Sequence, residues 1–268
     1  MYHQISNNHI LFKSEAFCKD ALAFNLMTTI LENTECYPDT KCFSNEKNCI
    51  FVNTDAQHPI IVWTSDDFQD FEKLYQFIQT EFSQNKPFSL ICKQQLFDFY
   101  KEKNIGPITH IETIGVYQYD TDLPLQYNGF ADNIQSTETE KLAEMIYQFY
   151  HESKADVGKS RQDCIQVAQK FITNPNYKIW RNTEGKIVAF ARYRTSNSIN
   201  RIGMVYTRPE ERGKSYAKMI VHYLTQKIRQ EKKIPILYTD FNYLPSNKCY
   251  TAIGYKLTNK IFSFTIQK

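Results

Sequence analysis

What this 268-residue chain has little of already limits what it can do. No apolar run approaches the length of a membrane-spanning helix, and Met1-Tyr2-His3-Gln4-Ile5-Ser6 offers no basic and then apolar signal region. The expectation is therefore a cytoplasmic protein with no membrane partner. Charge of one sign is also scarce: 32 Lys and Arg against 29 Asp and Glu leave a formal net charge of +3. That is too small for a nucleic-acid partner, which would show a clustered basic stripe. Seven cysteines is an odd number and no secretory signal accompanies them, so free thiols in a reducing compartment are expected. Cys36, Cys42 and Cys49 are separated by five and six residues. Structural zinc sites pair ligands as Cys-x2–4-Cys, so no metal site is expected. Gly213-Lys214-Ser215 and Gly158-Lys159-Ser160 look like the tail of a phosphate-binding P-loop. That loop needs a further glycine five positions before its Gly-Lys pair, and those positions hold Arg208 and Ser153.

What is present is the composition of a folded protein, 42% hydrophobic and 15% aromatic, with length enough for two ordinary domains. In the N-terminal part, Cys49–Asn53, Pro59–Thr64, Phe88–Cys92 and Thr113–Tyr119 read as strands. Ala21–Leu31, Phe68–Phe82 and Gln95–Lys101 read as helices. The segment from Asp120 to Phe130, with a proline, a glycine and little periodicity, reads as a linker. The expected domains are 1–125 and 126–268. Further on, Thr137 and Glu140 form a Thr-x-x-Glu capping box at the start of a helix. A polar, loop-like stretch His151–Ser160 follows, then a helix Arg161–Thr173. Tyr177–Trp180 and Ile187–Tyr193 make a hairpin, Ile236–Thr239 a strand, and Tyr255–Leu257 with Ile261–Ile266 a closing hairpin.

The rest of the chain is organised around Val205 to Ala217. A β-branched and aromatic strand, Gly203–Thr207, breaks at Pro209, turns through Arg212 and Gly213, and opens a helix. That helix carries an apolar stripe of Ala217, Ile220, Val221, Leu224 and Ile228. A helix N-terminus has backbone N–H groups without helical partners and the positive end of the macrodipole, so this turn is built for an anion.

Arg212-Gly213-Lys214-Ser215-Tyr216-Ala217 resembles the Arg/Gln-x-x-Gly-x-Gly/Ala signature of the GNAT (GCN5-related N-acetyltransferase) superfamily. Asp240 to Tyr255 is similar to that family's second cofactor motif, an Asn and a Tyr on a short helix before a Gly-Phe/Tyr turn. The order of elements across about residues 130–268 is also the family's. The resemblance implies an α/β fold over residues 126–268, a mixed and mostly antiparallel sheet flanked by helices, preceded by a smaller, degenerate GNAT-like domain. Two domains of this kind loosely resemble the glycine N-acyltransferase-type branch. In the N-terminal half the corresponding turn holds Asp66, Asp67 and Asp70, which would repel a pyrophosphate, so cofactor binding there is expected to be lost.

The resemblance further implies acetyl-CoA as cosubstrate, its pyrophosphate on Arg212, Gly213, Lys214, Ser215, Tyr216 and Ala217. The pantetheine arm would lie on the backbone of Val205, Tyr206 and Thr207, with Asn247 as a further contact or a helix cap. Ser215 stands where the family has its central glycine; it keeps the N–H and adds a hydroxyl donor. Tyr250 sits where many members place the acid for the departing thiolate, with a structural role as its alternative. Asp240 is a candidate base through water, or a cap for the next helix. His151 and Glu152 lie where the family shapes its acceptor pocket. Lys232-Lys233 form a solvated face or meet the 3′-phosphate. The expected function is an N-acetyltransferase acting on the amine of a small-molecule or amino-acid-like acceptor by direct attack, with a homodimer left open. Two other readings stay open: a non-catalytic acyl-CoA-binding module with a decayed site, and a nucleotide-binding protein.

Overall fold

The computed structural model describes residues 1–83, 86–153 and 158–267. In chain order its strands and helices are β1 (His3–Gln4), α1 (Glu15–Asp20), α2 (Asn25–Glu32), β2 (Lys41–Ser44), β3 (Cys49–Asn53), β4 (Ile60–Thr64), α3 (Phe71–Ile78), β5 (Phe88–Cys92), α4 (Gln94–Lys103) and β6 (Ile108–Tyr119). They continue with β7 (Phe130–Asp132), α5 (Thr139–Ser153), α6 (Arg161–Thr173), β8 (Tyr177–Arg181), β9 (Ile187–Ser196), β10 (Ile199–Thr207), α7 (Tyr216–Gln230), β11 (Ile234–Asp240), α8 (Leu244–Thr251) and β12 (Tyr255–Ile266). The class is α/β, with mixed, mostly antiparallel sheets flanked by helices.

Two compact units result, and they are not two contiguous stretches. One comprises residues 1–117, 238–244 and 257–268; the other comprises 118–237 and 245–256. The expected boundary at 125/126 therefore lies within the second unit. The reason is the last strand. Tyr255–Leu257 and Ile261–Ile266 are one continuous strand rather than a hairpin, and β12 pairs antiparallel with β5, Phe262 opposite Cys92 and Ile266 opposite Phe88. Pairing at such sequence separation leaves no local mark in the sequence.

In the first unit, β1 to β4 pair antiparallel in order and β4 runs parallel to β5. The sheet is covered on both faces, which explains the unbroken apolar runs of β3 and β4. Ile50, Val52, Ile61 and Trp63 pack with Phe17, Phe24 and Met27. Their alternates Phe51, Ile60 and Val62 pack with Leu74, Phe97 and Phe264. The helix expected over Phe68–Phe82 is α3 followed by a wider turn, Gln79–Ser83, and the segment expected as one helix from Ala21 begins only at Asn25.

In the second unit, β7, β8, β9 and β10 pair antiparallel and β10 runs parallel to β11. Helices α5 and α6 cover one face, where Leu142, Ile146, Cys164, Ala168 and Phe171 meet Ile179, Phe190 and Tyr206. Helix α7 lies against the face carrying Tyr193, whose hydroxyl donates to Glu231 at 2.7 Å. Its buried stripe is wider than the sequence pattern: Tyr216, Met219, His222 and Thr225 join Ile220, Val221, Leu224 and Ile228, whereas Ala217 is only part-buried. Each fully buried aliphatic side chain contributes about 1.5–3 kcal/mol, and this holds α7 in place. The box expected at Thr137/Glu140 is shifted. Glu138 accepts the Gln135 N–H at 3.0 Å, drawn there by Arg181, whose guanidinium bonds both Glu138 oxygens.

Candidate active site

The site begins with strand β10 losing its neighbour. Its parallel pairing with β11 runs from Ile199↔Ile234 to Ile202↔Leu237 and stops there. On the other side, its register with β9 shifts between Gly203 and Tyr206, and Met204 sits in the bulge at φ +52°. A bulge re-aims the backbone and ends regular pairing. The stretch Gly203 to Thr207 thereby has backbone groups available to an extended ligand, and the Thr207 hydroxyl is buried with no partner among the described residues.

After Thr207 a short 3-10 turn, Pro209–Glu211, leads into two left-handed residues, Gly213 at φ +81° and Ser215 at φ +66°. A Cβ added at Gly213 would meet nothing within 4 Å, so open space lies over the turn. The first internal bond of α7 joins the Met219 N–H to the Ser215 carbonyl, at 3.1 Å. The N–H groups of Tyr216, Ala217 and Lys218 precede that bond, and the Ser215 side chain makes no cap. The result is a set of aligned donors at the positive end of a 15-residue helix.

Charges around the turn are balanced. Arg212 donates from Nε to the Thr207 carbonyl at 3.1 Å and from its terminal nitrogen to Glu152 at 2.6 Å, with its guanidinium 5.6 Å from the Tyr206 ring centroid. Glu152 also receives the Tyr206 hydroxyl at 3.1 Å. Burial first, and the Glu152 charge next, push the Tyr206 phenol up to about 12, so it stays a donor. Lys214 is turned toward Glu211 at 2.9 Å, and Lys186 reaches the same carboxylate at 2.9 Å. These two ammonium groups hold Glu211 below the ordinary carboxylate range.

Glu152 is the residue sequence reasoning undervalued. It was expected in a loop, yet His151–Ser153 are the last turn of α5, and Lys154–Val157 lie outside the described residues. The available signal was Gln148 and Glu152, one turn apart; both accept from the Tyr206 hydroxyl at 3.1 Å.

The structure thus brings Val205, Tyr206, Thr207 and Arg212 to Ala217 together at one strand end and helix start. Asn247 and Tyr250 lie on α8 in the same unit. Tyr250 is buried, 7% exposed, with its ring 6.4 Å from that of Tyr255. The Gly-Tyr turn after it demands glycine, because a Cβ at Gly254 (φ +98°) would stand 1.8 Å from the Thr121 carbonyl oxygen. Asp240 groups with the other unit, and its Oδ1 accepts the Asn242 N–H at 2.8 Å. That bond closes the turn that precedes α8. Among the described residues no group of His, Cys, Asp and Glu could hold a metal ion, and no helix is long and apolar enough to cross a membrane.

This fold is that of the GNAT acetyltransferases. Solved structures of 9–15% sequence identity share it over the whole chain. A GNAT-family acetyltransferase from Colwellia psychrerythraea is 15% identical with a TM-score of 0.59, covering 100% of both chains. A GCN5-related N-acetyltransferase from Sphaerobacter thermophilus is 11% identical with a TM-score of 0.63, covering 100% of this chain and 95% of that one. A tandem GNAT protein from the clavulanic acid biosynthesis pathway is 9% identical with a TM-score of 0.55, covering 100% and 98%. More particularly, residues 182–263 match the family model described as FR47-like protein, a stretch that contains the bulged strand, the turn and α8. A comparison with curated protein sequences finds no match.

Proposed function

We propose that this chain is an N-acetyltransferase that transfers the acetyl group of acetyl-CoA to the amine of a small-molecule acceptor. The observation that carries the reading is the junction of β10 and α7: an opened strand edge leads directly into uncapped N–H donors flanked by Arg212. An extended arm ending in a pyrophosphate fits that order of groups. The unpartnered Thr207 hydroxyl, the open space over Gly213 and the uncapped start of α7 all suit such a ligand.

Acetyl-CoA supplies an acetyl thioester; the chain's own residues do the rest. The N–H groups of Tyr216, Ala217 and Lys218, the Ser215 hydroxyl and Arg212 hold the pyrophosphate, and Arg212 exchanges Glu152 for phosphate oxygen when it does so. The backbone of Val205, Tyr206 and Thr207 holds the arm. In the transfer the amine nitrogen forms the new bond to the carbonyl carbon, the carbon–sulfur bond breaks, and the amine loses one proton while the thiolate gains one. Tyr250 is assigned as the donor to sulfur and Asn247 as a contact to the arm. Asp240 holds the turn into α8, and the base is left to the acceptor side. Titration calorimetry with CoA and thiol release with an amine panel test this. A chain that binds CoA but releases no thiol with any amine is the decayed binding module instead.

A further inference from the structure

Three arginines share one face of the β8–β9–β10 sheet, the face covered by α5 and α6. Arg192 and Arg194 alternate along β9, Arg201 on β10 stands directly opposite Arg194, and Gly203 and Tyr177 stand opposite Arg192. Arg192 is part-buried, and its Nε donates to the neutral thioether of Met204 at 2.9 Å. Its guanidinium lies 5.6 Å from the Tyr177 ring centroid. Among the described residues no carboxylate is paired with it. Arg181 on β8 is the contrast, with two carboxylates, Asp132 and Glu138, each at 2.7 Å. Burial, and then the charges of Arg194 and Arg201, push Arg192 down to about 10, which leaves it a cation at neutral pH.

The direction of β10 places this cluster. Phosphates at Arg212–Ala217 and an arm running back along Thr207, Tyr206 and Val205 put the reacting end near Met204, the residue that Arg192 touches. Arg201 lies three residues further on, about 10 Å along the strand. A group bound at the arginines is therefore beyond the reacting end, on the acceptor's side. A planar guanidinium matches carboxylate and phosphate oxygens two at a time.

Resting on the N-acetyltransferase reading above, we infer that Arg192 binds an anionic group of the acceptor, so that the natural substrate is an amine bearing a carboxylate or a phosphate. The anion supplies the counter-charge that Arg192 lacks.

The test has a binding arm and a kinetic arm. The CoA-saturated protein is titrated with succinate and with inorganic phosphate, against chloride at matched ionic strength. The proteins compared are wild type, Arg192→Gln, Arg192→Lys and Arg201→Gln. The inference expects saturable binding of one of the two anions, weakened about tenfold or more in Arg192→Gln and partly regained in Arg192→Lys, as for a lost charge-assisted contact. Thiol release then compares 4-aminobutyrate with butylamine, phosphoethanolamine with ethanolamine, and spermidine. The anionic member of a pair should have the higher kcat/KM, and Arg192→Gln should raise its KM about tenfold while leaving the KM for acetyl-CoA unchanged. Which pair responds separates a carboxylate from a phosphate. Equal anion binding by wild type and Arg192→Gln, or a preference for butylamine or spermidine, overturns the inference. Failure of the chain to bind CoA overturns the functional reading instead. The anion titration is then made on the CoA-free protein carrying Arg212→Gln, which weakens the phosphate turn, with and without Arg192→Gln, and the difference between the two decides the arginine site.

Discussion

Replacing Ser215 by glycine separates two effects that the structure places on one residue. Ser215 holds φ +66°, a left-handed conformation that costs a residue with a Cβ about 1–2 kcal/mol. Glycine removes that strain but loses about 0.5–1 kcal/mol through the extra freedom of the unfolded chain. The net expectation is a stabilisation of about 0.5–1 kcal/mol, which for a chain of this size raises Tm by about 1–4 °C. Affinity should move the other way. The Ser215 hydroxyl does not cap α7 and is available to the phosphate. Its loss costs about 0.5–1.5 kcal/mol, a rise in the CoA Kd of roughly 2- to 12-fold. Ser215→Ala is the control: it removes the hydroxyl but keeps the Cβ, so the Kd should rise equally with no gain in Tm. Differential scanning calorimetry and titration calorimetry read the two quantities on the same samples. A glycine variant that melts no higher refutes the strain; one that binds CoA severalfold more tightly refutes the serine as an adapted ligand and favours the decayed module.

Arg212→Glu should weaken CoA binding by about 1–3 kcal/mol, since it sets a negative charge beside the pyrophosphate at a helix N-terminus; an unchanged Kd would move the phosphate site elsewhere. Glu152→Gln removes the carboxylate that competes for Arg212. Because that pair is half exposed its worth is below about 1 kcal/mol, so CoA should bind up to about fivefold more tightly, most visibly at low salt, and weaker binding would make Glu152 a positioning group instead. Full-length chain should bind one CoA, because Asp66 in the corresponding turn of the other unit is engaged by Lys93 at 2.7 Å and offers carboxylates where phosphates would lie; a stoichiometry of two by titration would contradict this. His222 is buried and held below its ordinary value by that burial, although Asp122 pulls the other way, and its Nδ1 meets the Tyr127 hydroxyl at 2.8 Å. The unfolded chain then binds the proton first, so stability present above about pH 6.5 should fall as pH drops below it until the folded-state value is passed. His222→Gln should flatten that part of the melting-temperature profile, and an identical profile would rule the residue out.

The parts of the fold legible in the sequence are those where local pattern and tertiary burial agree. β3, β4 and β5 were readable because both faces of each strand are buried, so most positions are apolar. The strand–turn–helix from Gly203 to Ile228 was readable because Pro209, Gly213 and the α7 stripe each act locally. What was not legible depends on distant partners or on backbone angles that side chains do not announce. β12 was split in two because Lys256 to Lys260 interrupt its apolar alternation, whereas its pairing with β5 holds the far half in one strand. Glu152 looked like loop because His151-Glu152-Ser153 has no apolar position, yet Tyr206 and Arg212 tie that last turn of α5 down. Arg192 carried no signal at all: one arginine in a β-strand gains meaning only when Arg201 and Met204 are brought beside it.

The same reasoning weighs the enzyme against the decayed module. Two residues with a Cβ, Met204 and Ser215, hold left-handed conformations at the two ends of the opened strand and its turn. Each costs on the order of 1–3 kcal/mol, and neither is relieved by a local hydrogen-bonding side chain of the Asn or Asp type. Glycine at either position would remove that strain, whereas other residues with a Cβ would keep it. Strained backbone of this kind persists only where the surrounding structure over-determines it, and it clusters at ligand-binding sites. Strain kept at Met204 and Ser215, with uncapped N–H groups between Ser215 and Met219, is the state expected where the energy stored in the free protein is returned when a ligand binds.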